Sequence, residues 1–145
     1  MRLSINLMAR IVLISCASKK LPTKAKAREI YISPLFKRGL RYALSLNPDS
    51  IYILSAKYGL LDLEREIEPY EQTLNKMKDE EIKRWAEKVL SELEKVANIR
   101  QDEFIFLAGE KYRKYIAPSL VNSSVPMRGL GIGKQLKFLK DHQNG

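Results

Sequence analysis

Three short apolar runs set the frame of this chain. Arg10-Ile-Val-Leu-Ile-Ser-Cys16, Ser50-Ile-Tyr-Ile-Leu-Ser55 and Glu103-Phe-Ile-Phe-Leu-Ala108 are rich in β-branched and aromatic residues and lack polar alternation. Such runs read as strands of a parallel sheet buried on both faces. Leu120 to Val125 forms a weaker fourth strand. Between the runs the apolar period lengthens to that of a helix. Ser33-Pro34 supplies an N-cap and a proline at the first helical position. Phe36, Leu40, Ala43 and Leu44 follow as a buried stripe, Lys37, Arg38 and Arg41 stay outside, and Asn47-Pro48-Asp49 ends the helix. Asp79 caps the clearest helix, in which Ile82, Trp85, Ala86, Val89, Leu90, Leu93 and Val96 recur through Ala97. Glu80 and Glu81 sit in its first turn, where the helix dipole favours acids. Gly109 leads into a short helix with Tyr112 and Tyr115, and the last helix, after Gly129, turns Ile132, Leu136 and Leu139 inward. Ala17 to Arg28 reads as a basic loop, and Leu60 to Leu74 as an irregular, acidic segment.

Strands alternating with helices indicate βαβ units with right-handed crossovers. The expected class is α/β: a mostly parallel sheet with helices on both faces, three-layer and Rossmann/flavodoxin-like. One domain spans residues 1–145, with residues 1–9 as a flexible extension and Met8 as a second start before the first strand.

Composition narrows the chemistry. With 45% hydrophobic and 30% charged residues over 145 positions, the chain is globular, not disordered. One cysteine, Cys16, forbids an internal disulfide; one histidine, His142, leaves no all-protein Cys/His zinc site and no ready Ser-His-Asp triad. No metal site and no cofactor are expected. The longest apolar run, Ile11 to Ile14, is far short of the ~20 residues of a spanning helix. The expectation is a cytoplasmic protein with no membrane partner and a reduced Cys16.

The net charge of +9 is segregated. Residues 1–60 carry +9, residues 61–110 carry −6, and residues 111–145 carry +6. Two basic ends around an acidic middle predict one positive face, the footprint of a phosphate-bearing partner. The alternative is a solvated acidic helix pair with the bases paired to it.

In an open parallel sheet, ligands bind outside the carboxyl ends of the strands. Each of the three apolar strands ends there in small and polar residues: Ser15-Cys16-Ala17-Ser18-Lys19-Lys20, Ser55-Ala56-Lys57-Tyr58-Gly59, and Ala108-Gly109-Glu110-Lys111-Tyr112. The amino ends show no comparable repetition. Lys19 and Lys20 follow small residues that admit a ligand; the alternative is a pair of solvated loop lysines. Cys16 is either a nucleophile served by lysine or tyrosine, or a small buried hydrophobe. Lys57 and Tyr58 make an anion clamp and a proton donor, or Tyr58 closes the core beside Gly59. Tyr70, after Pro69, stacks on a base or packs structurally. Gly129-x-Gly131-x-Gly133-Lys134 presents backbone N–H groups and an ammonium to a phosphate, or is a tight turn before a helix; it is neither a complete Walker A loop nor G-x-G-x-x-G.

Ile14 to Lys20, Ile53 to Leu61, Glu68-Pro-Tyr70 with Leu74, Leu107-Ala-Gly109 with Tyr112, and Pro126 to Gly133 together resemble the YaaA-like proteins, a group of small prokaryotic domains. The most specific piece is Leu54-Ser-Ala-Lys-Tyr-Gly-Leu-Leu61 followed by Pro69-Tyr70; Ala56 stands where those proteins have glycine, and Glu71 where they have arginine. The resemblance implies an α/β fold and a link to nucleic acid, modified-base metabolism or the stress response. It brings no established catalytic residue.

The resulting expectation is a crevice at the carboxyl edge that takes a nucleotide or a nucleic-acid phosphate. Cys16, Ser18, Lys19, Lys20, Lys57, Gly59, Tyr70, Gly109, Tyr112, Gly131, Gly133 and Lys134 hold the ligand, and Ser55 and Tyr58 act on or orient it. If catalysis follows, proton transfer falls to Tyr, Lys or a carboxylate. The alternatives are a non-catalytic nucleic-acid-binding module, read through basic loops and tyrosines, and a protein-interaction subunit.

Overall fold

A computed structural model describes residues 8–142. In the expected N-terminal extension, residues 1–7 lie outside the described residues. Ala9 is tied to the body: its N–H donates to Asp102 Oδ1 at 3.0 Å and its carbonyl accepts the Glu103 N–H at 2.8 Å.

The apolar run at the start forms β1 (Arg10–Ser15). In the basic stretch after it lie β2 (Ala25–Lys26) and a one-turn helix α1 (Ala27–Ile30). The helix forms where the sequence shows no apolar period because Ala27 and Ile30 are both buried. Next comes α2 (Pro34–Ser45), capped as expected by Ser33, whose Oγ accepts the Phe36 N–H at 3.2 Å. Strand β3 (Ser50–Ser55) runs into a turn and returns as β4 (Gly59–Asp62). The segment from Leu60, expected to be irregular, is thus an ordered hairpin arm. Gly59, at φ +75°, supplies the left-handed residue that lets Ser55 face Gly59 and Tyr52 face Asp62. Strand β5 (Glu66–Ile67) then pairs with β2.

The longest helix is α3 (Asp79–Glu94). Its cap is Lys78, one residue before the expected Asp79, because the Glu81 carboxylate reaches back to accept the Lys78 N–H at 3.0 Å. The chain continues through β6 (Glu103–Leu107), α4 (Glu110–Arg113), β7 (Asn122–Ser124) and α5 (Ile132–Asp141).

The main sheet has the order β4-β3-β1-β6-β7, parallel except for β4. Alternation along its strands makes two cores. Ile11, Leu13, Phe104 and Phe106 face α3, meeting Trp85, Val89 and Leu93. Val12, Ile14, Ile105 and Leu107 face α1, α2 and α5, meeting Ile30, Phe36 and Leu139. The result is a three-layer α/β fold. Helices α2 and α5 lie side by side, with the Tyr42 and Phe138 rings 5.5 Å apart. That contact corrects two expectations. Helix α2 turns Tyr42 inward and leaves Leu44 48% exposed, and α5 buries Leu139 while Ile132, at its first turn, is 67% exposed.

Candidate functional site

The chain leaves β1 to build β3 on one side, then crosses to β6 on the other. Between the carboxyl ends of β1 and β6 the two crossovers diverge and open a crevice, the place where such sheets bind ligands. It measures about 970 Å³.

Its floor is the end of β1 and β6: Ser15, Cys16, Ala108 and Gly109. The Cys16 N–H is spent on the Leu54 carbonyl at 3.1 Å, and its thiol donates to Tyr112 Oη at 3.5 Å. Tyr112 lies 8% exposed against Trp85, with ring centroids 5.6 Å apart, and its hydroxyl also accepts the Leu74 N–H at 3.4 Å. Burial, with the neighbouring Cys16, pushes the Tyr112 phenol up to about 12.

One wall is polar. The segment Tyr70 to Lys76 crosses the sheet's carboxyl edge and brings Gln72, Thr73, Asn75 and Lys76 to the crevice. Lys20, Lys76, Lys111 and Arg113 face only Glu71 and Glu110 among the lining carboxylates, so the crevice is net positive. Arg113 is aimed by its own Nε, which donates to the Ala108 carbonyl at 3.2 Å. Apolar side chains line the rest: Leu35 of α2, Val125, Met127 and Leu130 from the connection into α5, and Ile132 at its first turn. Gln135 fixes that connection by donating to the Leu130 carbonyl at 2.8 Å.

Behind the polar wall runs a chain of hydroxyls. Ser55 Oγ donates to Tyr70 Oη at 2.8 Å and accepts the Tyr58 N–H at 3.0 Å; Tyr70 Oη also bonds Tyr31 Oη. Burial holds both phenols well above the ordinary tyrosine range. Lys20 lies over Tyr70, its Nζ 4.3 Å from the ring centroid and 3.4 Å from the Ser18 carbonyl. Partial burial lowers the Lys20 ammonium below the usual lysine value.

The residues singled out from the sequence thus divide into groups. Cys16, Ser18, Lys20, Tyr70, Gly109 and Tyr112 converge on the crevice. Ser55 is fully buried and stands behind Tyr70. Lys57 and Tyr58 occupy the β3–β4 turn, where the Lys57 ammonium sits 5.3 Å and the Arg65 guanidinium 4.9 Å from the Tyr58 ring. Gly59 faces α3: a Cβ there meets Glu92 Oε1 at 2.5 Å, the oxygen that accepts the Leu60 N–H at 3.0 Å. Lys19 is exposed beside the crevice and gives its carbonyl to the Ile32 N–H. Gly131, Gly133 and Lys134 open α5 in exposed positions, while their neighbours Gly129, Leu130 and Ile132 reach the crevice.

Sequence reading missed Gln72, Thr73, Asn75, Lys76 and Arg113. The signal for the first four was a polar run directly after Pro69-Tyr70. His142 stacks on Phe138 at 4.1 Å between centroids, outside the crevice lining. Among the described residues no group of three or more His, Cys, Asp or Glu is placed to hold a metal ion, and no helix is long and apolar enough to cross a membrane.

Charge is also layered. Helix α2 carries Lys37, Arg38 and Arg41 with no acid, and α5 carries Lys134, Lys137 and Lys140 with Asp141, on the same side of the sheet. On the other side, α3 holds six acids against three bases.

A family of unknown function (DUF6884) matches residues 11–141 of this chain. No curated protein and no solved structure matches it.

Proposed function

The chain belongs to that family of unknown function, and we propose that its crevice binds a nucleotide or a closely related phosphate-bearing small molecule. The observation that carries this reading is one cavity at the β1/β6 divergence whose lining combines four cations with a set of apolar side chains. Its volume suits a ligand of that size. A phosphate group meets Lys20, Lys76, Lys111 and Arg113, for which the guanidinium offers paired donors. A flat base or other apolar body meets Leu35, Met127, Leu130 and Ile132. The YaaA-like pattern in Leu54–Leu61 and Pro69-Tyr70 supports the same edge through Ser55 and Tyr70, whose bonded hydroxyls stand behind the polar wall. If a reaction follows binding, its protons are carried by the Cys16 thiol, the Tyr112 phenol, the Lys20 ammonium or the Glu71 and Glu110 carboxylates, and nucleobase or nucleic-acid modification is the class that fits.

Calorimetric titration with AMP tests this. The expected result is binding that Lys20→Met weakens about tenfold, the loss of one charge-assisted contact, with unchanged melting temperature; Lys57→Met, outside the crevice, leaves it intact. Equal effects of the two substitutions, or no binding of AMP or pyrophosphate, overturn the reading.

The basic outer surfaces of α2 and α5 favour a second reading, a nucleic-acid-binding module. These helices also wall the crevice, so a polynucleotide lying across them would present one nucleotide to it. Binding of an oligonucleotide far tighter than AMP, falling steeply with salt, selects this reading; equal affinities reject it.

A further inference from the structure

We propose that Tyr70 is a positioning residue that holds the Lys20 ammonium as the fixed anion contact of the crevice, an inference that rests on the phosphate reading above.

Lysine is usually a poor fixed donor, because four rotatable bonds leave its ammonium free to move in water. Lys20 is restrained at both ends. Its backbone pairs with Tyr31 in an isolated bridge, flanked by Leu21 N–H to the Ile30 carbonyl at 2.8 Å and Ile32 N–H to the Lys19 carbonyl at 3.0 Å. At the other end its Nζ lies 4.3 Å from the Tyr70 centroid and 5.7 Å from that of Tyr31, both within cation–π range. The platform is itself held on several sides. Tyr70 is 7% exposed, its ring stands edge-on to Tyr31 and Tyr58, and its hydroxyl is bonded by Ser55 and Tyr31. A residue that looks like a base-stacking surface therefore spends its ring face on an ammonium.

The groups around that ammonium are the Ser18 carbonyl, which accepts from it at 3.4 Å, and the rings of Tyr31 and Tyr70, with the Cys16 thiol and the Glu71 carboxylate acting on its charge. None forms an ion pair with Lys20 within 4.0 Å among the described residues, so the positive charge is directed into the crevice without a carboxylate already seated on it. Ser55 acquires a role on the same grounds: it acts through Tyr70, one residue removed from any ligand.

The test is a spectroscopic one on the intact protein, with lysine amines carrying ¹³C-methyl groups and the Lys20 signal identified by Lys20→Arg. The expected Lys20 resonance is displaced from the other lysines by the ring current and titrates below them. Tyr70→Phe keeps the displacement, Tyr70→Leu abolishes it, and pyrophosphate or AMP moves the Lys20 signal before those of Lys57 and Lys134. A Lys20 signal that coincides with the solvated lysines and ignores Tyr70→Leu overturns the positioning role, even if phosphate binds. A displaced signal that neither pyrophosphate nor AMP perturbs overturns the phosphate reading, and the anion-contact role with it.

Discussion

Ser55 Oγ sits 2.8 Å from Tyr70 Oη, fully buried at the end of β3. The same oxygen accepts the Tyr58 N–H at 3.0 Å and so closes the turn into β4. Ser55→Ala leaves that N–H and one bond of Tyr70 unmade in a buried setting, where each lost partner costs about 1–3 kcal/mol. We expect about 2 kcal/mol less stability in urea denaturation with an unchanged slope. Full retention of stability would show that the hydroxyl chain is not part of the framework.

Gly59→Ala is expected to be at least as damaging. A left-handed residue other than glycine costs about 1–2 kcal/mol, and the new Cβ lies 2.5 Å from Glu92 Oε1, which must then release the Leu60 N–H. Gly133→Ala is the contrasting case. Gly133 lies in the first turn of α5, where an added Cβ meets nothing within 4 Å, so alanine should stabilise by about 0.5 kcal/mol, the low end of the interior value. Parallel urea melts of the two variants give opposite signs if the hairpin glycine is structural and the helix glycine is not.

The difference between these glycines shows what the sequence makes legible. Boundaries of β1, β3 and β6, the Ser33 cap and the apolar stripe of α3 from Ile82 to Leu93 follow from local pattern and appear nearly as expected. Val96, expected in that stripe, lies past the helix end and is 52% exposed. The arm β4 escapes because four residues, Gly59-Leu-Leu-Asp62, are too few to show a period. For the site, local pattern shows which residues end the strands, but the lateral order of strands depends on crossovers that no single segment encodes. Because β3 lies beyond β1 from β6, its terminal Lys57 and Tyr58 end up on the edge hairpin while the termini of β1 and β6 frame the crevice. Gln72, Thr73 and Asn75 enter from a segment whose regular structure is a single turn of 3-10 helix, Leu74–Lys76 capped by Thr73, too short to show a period.

Alkaline pH should unfold the protein through its buried phenols. Tyr31, Tyr70 and Tyr112 all have folded-state values above the ordinary tyrosine value of 10.0, with Tyr112 pushed up to about 12 by burial. The folded state keeps protons that the unfolded state releases, so the unfolded state binds fewer protons as pH rises. The Tyr112 contribution is complete below about pH 10 and is lost progressively toward pH 12. Those of Tyr31 and Tyr70 begin to fall over the same range and go on falling above it. Stability measured by denaturation should fall steeply across this window, and a late fraction of tyrosinate absorbance should appear together with loss of circular dichroism. Complete tyrosine ionisation in a still-folded protein would remove these three phenols from the buried network.

The apolar wall predicts a difference between two ligands that share a phosphate. Met127, from the connection into α5, and Ile132, at the first turn of α5, line the crevice, and Ile132 is 67% exposed. If a base packs there, removing the two side chains takes apolar contact from AMP and nothing from pyrophosphate. The double variant Met127→Ser/Ile132→Ser should weaken AMP binding about tenfold, a loss in keeping with some tens of Å² of apolar surface, and leave pyrophosphate affinity unchanged. Because Ile132 is exposed and Met127 only half-buried, stability should change little. Calorimetry with both ligands decides the matter: equal loss for AMP and pyrophosphate places the effect in the fold of the connection, and no loss for either means that the crevice reads phosphate alone.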